Sequence, residues 1–496
     1  MADFLQAYVV HDEYAIICAV SDSHPEPLRK RVLQGSVYLT VRNGISMLLS
    51  LVGSLLVTRA IGPENYGLFT AAGGIFGYLL GLASQSTIAY LVREQSPGFI
   101  KRFHLAFWWL FGVGVGMVLV CIGVVLVMGL TSGQQRDFTL IAASLFVWLP
   151  AALISAVPQA LLERNLEYRP LALIQIASQA ATYLLAIPLA QMGFGAWALV
   201  WGFWLGQAVQ LVGSFAAARY RPRWYWNRAD WKQMMHYTVS QSLSVWLYNL
   251  RDLAPSLILF PLAGERAMGY YSLANRLVSM LSFLYSTAGR IAFAAFARLQ
   301  DDKERFAKAI QEAIQYLVLF TGLILSVFSA SVGVIAAWML GPKWDALVIQ
   351  QLCIVMASRV LLSSLSGVQT QALYVVGQNW LKVRANAVFA VLLAIAGGLL
   401  VGTVPVEHAP LMFALADHIA HAPTYWYDVH GVRKYIGRID YRLSLLWLSA
   451  VHIALFAPLV SYWLYAAAVG LLLHPLSIQG LRDIMHSFKK DYFRRD

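Results

Sequence analysis

Two stretches of the chain, IGPENYGLFTAA (61–72) and AGERAMGYYSLA (263–274), align at a single offset of 202 residues. Both glycines of the first stretch fall on glycines of the second, and Phe69 falls on Tyr271. Each stretch follows one long apolar run and precedes another. The alignment predicts two repeats of the same orientation, although glycine-containing turns between helices also resemble one another by chance.

The composition around these stretches is that of a polytopic membrane protein. Of the 496 residues, 59% are hydrophobic and 12% charged, and the mean hydropathy is +0.61. A helix needs about 20 mostly apolar residues to cross the hydrocarbon, and such runs recur along almost the whole chain. About fourteen spans are predicted, near 36–58, 68–92, 105–130, 138–161, 171–191, 195–217, 236–260, 269–296, 312–339, 346–373, 384–403, 408–428, 442–458 and 459–476.

Together the repeats and the spans predict an all-α fold with two six-helix bundles related by a parallel pseudo-twofold axis, followed by two C-terminal helices. The domains are expected in five segments. They are a cytoplasmic tail, an N-terminal bundle, a basic aromatic connector, a C-terminal bundle, and two further helices with a basic tail, at 1–35, 36–217, 218–235, 236–428 and 429–496.

Positive charge is distributed unevenly between the two sides of the predicted membrane. If the N terminus lies inside, 28 of the 37 Lys and Arg residues fall in cytoplasmic segments, four fall on the other side and five within spans. Cytoplasmic loops of membrane proteins carry such an excess. We therefore expect a protein of the bacterial inner membrane with both termini on the cytoplasmic side. The net charge of +12 is then explained by cytoplasmic loops that face anionic lipid headgroups. No nucleic-acid partner is expected.

Five arginines lie inside predicted spans. An ionisable group at mid-bilayer costs about 2.5 to 3.5 kcal/mol even on lenient scales, so it normally faces the bundle interior or a wet cavity. The forked guanidinium suits phosphate oxygens, which predicts a cavity that binds an anionic substrate. The alternative is that each arginine snorkels or pairs internally. The five candidate substrate-binding residues are Arg42, Arg251, Arg276, Arg290 and Arg359.

Acidic groups within spans are rarer. Asp252 and Asp417 are candidates for coupling transport to a proton or sodium ion, or for neutralising an arginine, and Asp428 lies near a span end. Asp417 and His421 lie four residues apart in DHIAH, which is metal-ligand spacing as well as a polar cavity lining. No metal or cofactor is predicted.

Catalytic signatures are missing from the sequence. It contains no Walker motif, HExxH or GxSxG, and its three cysteines are far apart with no CxxC spacing, so an enzyme is not indicated. Gly73, Gly77 and Gly81 recur every four residues, which is typical of a close helix-packing face.

RAIGPENYGLF (59–69), YYSLANRL (270–277), LGPKWDAL (340–347) and ALYVVGQNWLKVRANAV (372–388) resemble the polysaccharide-transporter family of flippases. That family lies within the multidrug/oligosaccharidyl-lipid/polysaccharide exporter superfamily. The resemblance extends from residue 36 to about residue 430.

The resemblance implies a V-shaped pair of six-helix bundles with a cationic central cavity. It implies movement of a polyprenyl-pyrophosphate-linked oligosaccharide from the inner to the outer leaflet by alternating access. ANRL (274–277) is similar to an arginine-bearing motif of lipid II flippases, which implies substrate contact for Arg276, whereas Arg42 is similar in position alone. A monomer is expected, with a polymerase or glycosyltransferases as possible partners.

Two rival functions give different expectations. A proton- or sodium-coupled multidrug exporter takes cations and would have an acid-lined cavity, whereas the spans contain more arginines than acids. A membrane glycosyltransferase or ligase would need large outer loops with catalytic acids or histidines, and the predicted outer loops are short. A scaffold without transport would not need arginines inside its spans.

Overall fold

A computed structural model describes residues 26–94, 98–131 and 136–482, and every regular element in these ranges is helical. The predicted all-α fold is therefore confirmed. The first half of the chain forms α1 (Glu26–Arg93), α2 (Ile100–Thr131), α3 (Arg136–Phe146), α4 (Leu149–Arg164), α5 (Tyr168–Gln191) and α6 (Ala196–Ala218).

The second half begins with α7 (Arg228–Ala254), which continues through a π-helical turn (Pro255–Leu259) into α8 (Phe260–Ala297). It goes on with α9 (Lys303–Leu340), α10 (Ala346–Val375), α11 (Asn379–Gly402), α12 (Ala409–Ala420), α13 (Ala422–Tyr435), α14 (Arg442–Val460), α15 (Trp463–Leu472) and α16 (Pro475–Arg482).

The aligned glycines of the two repeats have matching backbone conformations. Gly62 kinks α1 at φ 81° and ψ 173°, and Gly264 kinks α8 at φ 79° and ψ −174°. A side chain is strained at such positive φ, which explains why both repeats need glycine there. The equivalence agrees with an internal duplication.

Each of the spans predicted at 138–161 and 408–428 is divided between two helices, although α3 and α4 together still form one candidate membrane span. Pro150 is the second residue of α4 and Pro423 the second of α13. Proline has no amide hydrogen to donate to the preceding turn and its ring crowds that turn, so each helix stops just before it. The second break places His421 at the junction of α12 and α13.

Membrane-length helices are numerous but do not establish the predicted count of fourteen. Within the described ranges, nine helices are long and apolar enough to cross a bilayer, or ten if α15 and α16, bent by 61°, form one span. In this count the two limbs of α1 together are one span, and α3 and α4 together are one span. The finding is a multi-pass membrane protein.

The extra C-terminal helices lie against the second bundle. Helix α14 packs on α9, and α15 packs on α14. The Ser329 hydroxyl donates to the carbonyl oxygen of Leu455 at 2.5 Å. A Cβ on Gly322 would meet the Val451 side chain at 2.5 Å, so glycine lets the helices approach closely.

The connector between the halves is non-helical from residue 219 to residue 227 and packs on the start of α2. His104 Nδ1 lies 2.9 Å from the Tyr220 hydroxyl, and Trp108 Nε1 donates to the carbonyl oxygen of Arg223 at 3.0 Å. Trp224 is 75% exposed and lies 4.9 Å from the Trp108 ring.

Residues 1–25 of the predicted tail lie outside the described residues. The first helix begins at Glu26. Among the predicted packing glycines, a Cβ added to Gly73 or Gly77 would have no described heavy atom within 4 Å. The interpretation of these two as a close packing face was therefore wrong, because no described helix comes within contact of them.

Candidate functional site

Arg276 links the two halves of the molecule. It lies on α8, half-buried, and its Nη2 donates to the Tyr183 hydroxyl at 2.6 Å and to the carbonyl oxygen of Ser50 at 3.2 Å. The same nitrogen is also in hydrogen-bond contact with the Ser50 hydroxyl. Ser50 belongs to α1 and Tyr183 to α5, so one guanidinium joins the second bundle to two helices of the first.

The partners of Arg276 are neutral and closely packed. The Tyr183 hydroxyl donates to the carbonyl oxygen of Ser50 at 3.3 Å. The Tyr183 ring covers Gly53, where a Cβ would lie 2.3 Å from the ring. Among the described residues no carboxylate pairs with Arg276. Within the part of the chain that the structure describes, its positive charge faces hydroxyl and carbonyl oxygens, which include the Tyr66 hydroxyl.

A second arginine cluster lies within the C-terminal bundle, around Asp417 of α12. Arg359 Nε of α10 lies 3.0 Å from Asp417 Oδ2, and Arg251 Nε of α7 lies 3.6 Å from Asp417 Oδ1. His421 Nδ1 lies 3.5 Å from the same carboxylate and 2.7 Å from the Asp417 carbonyl oxygen. Asp417 and Arg359 are only 4% and 7% exposed, so this is a buried charge network.

Asp428 of α13, 1% exposed, forms a further buried ion pair. Lys382 Nζ of α11 lies 3.0 Å from Asp428 Oδ2. The Thr370 hydroxyl of α10 donates to the same oxygen at 3.2 Å, and the Ser366 hydroxyl is also in contact with it. Three donors satisfy one carboxylate, as burial of a charge requires.

A cavity of about 330 Å³ connects the Asp417 and Asp428 clusters inside the C-terminal bundle. Its walls include Arg251, Lys382 and His421 together with serine and threonine hydroxyls. Four polar residues of α12, α13 and their junction follow one another at helical spacing and so lie along one side of these helices. They are Asp417, His421, Thr424 and Asp428. The cavity is polar and wide enough for several waters.

The structure therefore separates the predicted site residues into different environments. It brings Arg251, Arg359 and Asp417 together and places Arg276 at the contact between the bundles. Asp252 is exposed. The side chains of Arg42 and Arg290 lie outside the described residues.

Sequence reasoning missed Lys382 and understated Asp428. Lys382 was counted only as a cytoplasmic charge, although its amine reaches a buried carboxylate. The spacing of four, three and four residues from Asp417 to Asp428 is a signal that could have found the polar side of α12 and α13. In the described ranges no group of three possible metal ligands occurs. Within DHIAH, Asp417 contacts Arg251 and Arg359, and His421 contacts Asp417.

Comparison with known proteins places the chain in a family. The model of a family described as "Polysaccharide biosynthesis protein" matches residues 56–349, more than half of the chain. The chain belongs to this family. The predicted membership of the polysaccharide-transporter group is thereby confirmed.

Two curated relatives have related names. The succinoglycan biosynthesis transport protein ExoT of Rhizobium meliloti (strain 1021) is 23% identical over 262 residues, which are 52% of each chain. The lipopolysaccharide biosynthesis protein WzxC of Escherichia coli (strain K12) is 24% identical over 344 residues, 66% of this chain and 67% of that protein. The chain thus matches about half the length of the first relative and two thirds of the second.

Solved structures share the fold at low sequence identity. The lipid II flippase MurJ in an inward closed conformation superimposes with a TM-score of 0.67 at 12% identity, covering 93% of this chain and 100% of that one. An inward-facing MATE multidrug resistance transporter of the MOP superfamily gives a TM-score of 0.62 at 14% identity, covering 80% and 98%. At this identity the likeness concerns the fold alone.

Proposed function

We propose that this protein is a flippase for a polyprenyl-pyrophosphate-linked oligosaccharide, a repeat unit of a surface polysaccharide. It moves this cargo from the inner to the outer leaflet by alternating access between two six-helix bundles. Family membership and the names of the relatives support transport in polysaccharide biosynthesis. Both termini then lie in the cytoplasm, as the charge distribution predicts.

The observation that carries the proposal is Arg276 at the contact between the bundles, with neutral partners. A pyrophosphate must cross about 30 Å of hydrocarbon, where an unpaired charge is prohibitive. The described partners of the Arg276 guanidinium are neutral oxygens, so its positive charge is available to bind a pyrophosphate. Arg42, Arg251, Arg290 and Arg359 remain proposed contributors to the positive path, and the prenyl chain stays in lipid.

The main rival is an exporter of cationic drugs, coupled to protons or sodium. Such a transporter needs a carboxylate free to bind the cation. Asp417 already faces two arginines, and Asp428 already faces a lysine. These two carboxylates are thus neutralised by residues of the protein itself, which favours the anionic cargo. Asp252, exposed on α7, is the remaining candidate for ion coupling.

Mass spectrometry of lipid extracts tests the proposal in the native host. Deletion of the gene should cause build-up of a polyprenyl-pyrophosphate oligosaccharide, which wild type relieves and Arg276→Ala does not. The matched control is Glu312→Gln, which removes an exposed charge from α9 of the same bundle. An unchanged lipid profile together with altered resistance to cationic drugs would reject the flippase and favour the exporter.

A further inference from the structure

The two glycine turns that align in the sequence also contact each other in space. A Cβ on Gly67 would lie 1.8 Å from the carbonyl oxygen of Glu265, and a Cβ on Gly269 would lie 2.0 Å from the carbonyl oxygen of Pro63. Each backbone therefore passes directly over the glycine of the other repeat. The equivalent glycines are needed because the two bundles meet backbone to backbone at this point.

Charged residues at equivalent positions reinforce this contact. Glu64 and Arg266 are separated by the same offset of 202 residues as the glycines, and they pair with each other at 3.7 Å. An ion pair between pseudo-equivalent positions requires the two turns to face one another across the pseudo-twofold axis. The turns lie at the end of the molecule that the charge distribution predicts to face outward.

The loop between α9 and α10 adds a third component. Trp344 Nε1 donates to the carbonyl oxygen of Thr58 at 2.9 Å, and Lys343 Nζ donates to that of Ala60 at 2.5 Å. Tyr66 and Tyr270 pack edgewise against the Trp344 ring, at 6.2 and 5.3 Å between ring centroids. The set of contacts made by Glu64, Gly67, Arg266, Gly269 and Trp344 is called the outer seam below.

Arg276 lies close to the outer seam on α8. It follows Gly269 by seven residues, which is about 10 Å along a helix. Its partners Ser50 and Tyr183 belong to the N-terminal bundle. The seam residues Arg266, Gly269 and Trp344 of the C-terminal bundle contact the N-terminal bundle as well. Separation of the bundles at this end must therefore break the Arg276 hydrogen bonds as well.

We propose that the outer seam is the gate toward the outer leaflet and that the anionic head group of the cargo opens it by drawing Arg276 away from Ser50 and Tyr183. The proposal rests on the proposed function and adds how the cargo is sensed. It assigns Arg276 two exclusive states, one bound to the N-terminal bundle and one bound to phosphate.

The exchange is favourable on chemical grounds. Hydrogen bonds from arginine to phosphate are charge-assisted at both ends and roughly twice as strong as neutral ones. The acceptors around Arg276 are the Ser50 carbonyl and the hydroxyls of Ser50, Tyr183 and Tyr66. All are neutral, so a diphosphate is the better acceptor. A ligand that binds only the released guanidinium stabilises the state in which the seam is open.

Distances between spin labels report the state of the gate. Labels on Met192→Cys and Val406→Cys, 72% and 58% exposed on opposite bundles at the seam end, are read in nanodiscs. The background protein has Cys18, Cys121 and Cys353 replaced by alanine. A single short-distance population is expected without ligand. Farnesyl diphosphate should add a longer one, whereas uncharged farnesol should not.

Two variants at the Arg276 contact should respond in opposite directions. Arg276→Gln removes the charge and should lose the response to farnesyl diphosphate. Tyr183→Phe removes one acceptor and keeps the guanidinium, so half-opening should need several-fold less farnesyl diphosphate. A purely structural role of Arg276 would not produce opposite shifts. An equal response of wild type and Arg276→Gln, or no response in either, would overturn the sensing role.

The glycines test the gate itself. Gly67→Ala should populate the longer distance without ligand, since its Cβ cannot fit against Glu265. Gly73→Ala, on the same helix with open space around it, should behave like wild type. If Gly67→Ala is not recovered folded, Trp344→Phe loses the hydrogen bond to Thr58 and should open partially. A wild-type distance in the folded seam variant contradicts the gate.

Lipid analysis separates this inference from the proposed function. In one outcome, farnesyl diphosphate opens the gate but deletion of the gene leaves polyprenyl-linked sugars unchanged. That outcome supports the inference and rejects the proposed cargo. Build-up of that lipid with a gate indifferent to diphosphate rejects the inference and leaves the flippase intact.

Discussion

Arginine has two different surroundings in this molecule. Arg276 reaches across from one bundle to the other and is held by neutral oxygens. Arg359 stays within the C-terminal bundle and faces a buried carboxylate. The first can exchange its partners for a ligand at the cost of ordinary hydrogen bonds. The second cannot leave Asp417 without exposing an unpaired charge to a low-dielectric interior.

The largest effect is expected from breaking the buried network. Asp417→Asn leaves Arg251 and Arg359 without their shared carboxylate, and removal of one partner from a buried pair typically costs about 3 to 5 kcal/mol. The melting temperature of the detergent-solubilised protein should fall markedly. Asp252→Asn is the matched control, because Asp252 is exposed. Equal melting of the two variants would show that the network does not stabilise the bundle.

Substitution of Arg276 is expected to reduce transport more than stability, in contrast to Asp417→Asn. Arg276→Gln loses hydrogen bonds to neutral groups, so its melting temperature should change little. It also loses a charge-assisted contact worth about 1.5 to 3 kcal/mol, so transport should fall about ten- to a hundredfold. Lipid build-up in complemented deletion cells measures this. Arg276→Lys keeps the charge without the fork and should be intermediate, and a variant with normal transport would refute the role.

The Lys382 pair tests whether the inner end of the cavity behaves like Asp417. Lys382→Met leaves Asp428 with two hydroxyl donors, so the loss of stability should be about 1 to 3 kcal/mol, smaller than for Asp417. A thermal-unfolding cycle with Asp428→Asn and the double variant gives the coupling energy. Additive effects would mean that the two charges do not depend on each other.

The smallest effect is expected at the exposed edge of the outer seam. Glu64 and Arg266 are 47% and 65% exposed, and exposed pairs contribute at most about 1 kcal/mol. Glu64→Gln should raise the longer spin-label population by no more than about fivefold. High salt should give the same change in wild type. A larger response would mean that the ion pair, rather than the glycine contact, holds the gate.

Much of the fold was predictable because it follows from local patterns. Apolar length and composition identify membrane helices whatever their neighbours are, and the aligned turns indicated the repeat. The interruptions of the helices within two spans were missed although Pro150 and Pro423 are visible in the sequence. Proline is common inside membrane helices, so its presence alone does not locate a break.

The site was predictable by residue type but not by pairing. Burial cost identified Arg251, Arg276, Arg359 and Asp417 as residues that need special surroundings. It could not tell that Arg251 faces Asp417 rather than its neighbour Asp252. That choice depends on the rotation of α7 against α12, which is set by packing over many residues.

Sequence patterns alone therefore identify an all-helical membrane protein with a repeated turn motif and arginines inside its spans. Hydrophobic length, backbone freedom at glycine and the cost of buried charge are properties of single segments. The folded molecule adds the contact between the repeated turns, the bridge from Arg276 to the other bundle and the pairing of Asp417 with two arginines. Those contacts join residues more than fifty positions apart, and the orientation of whole helices decides which of them meet.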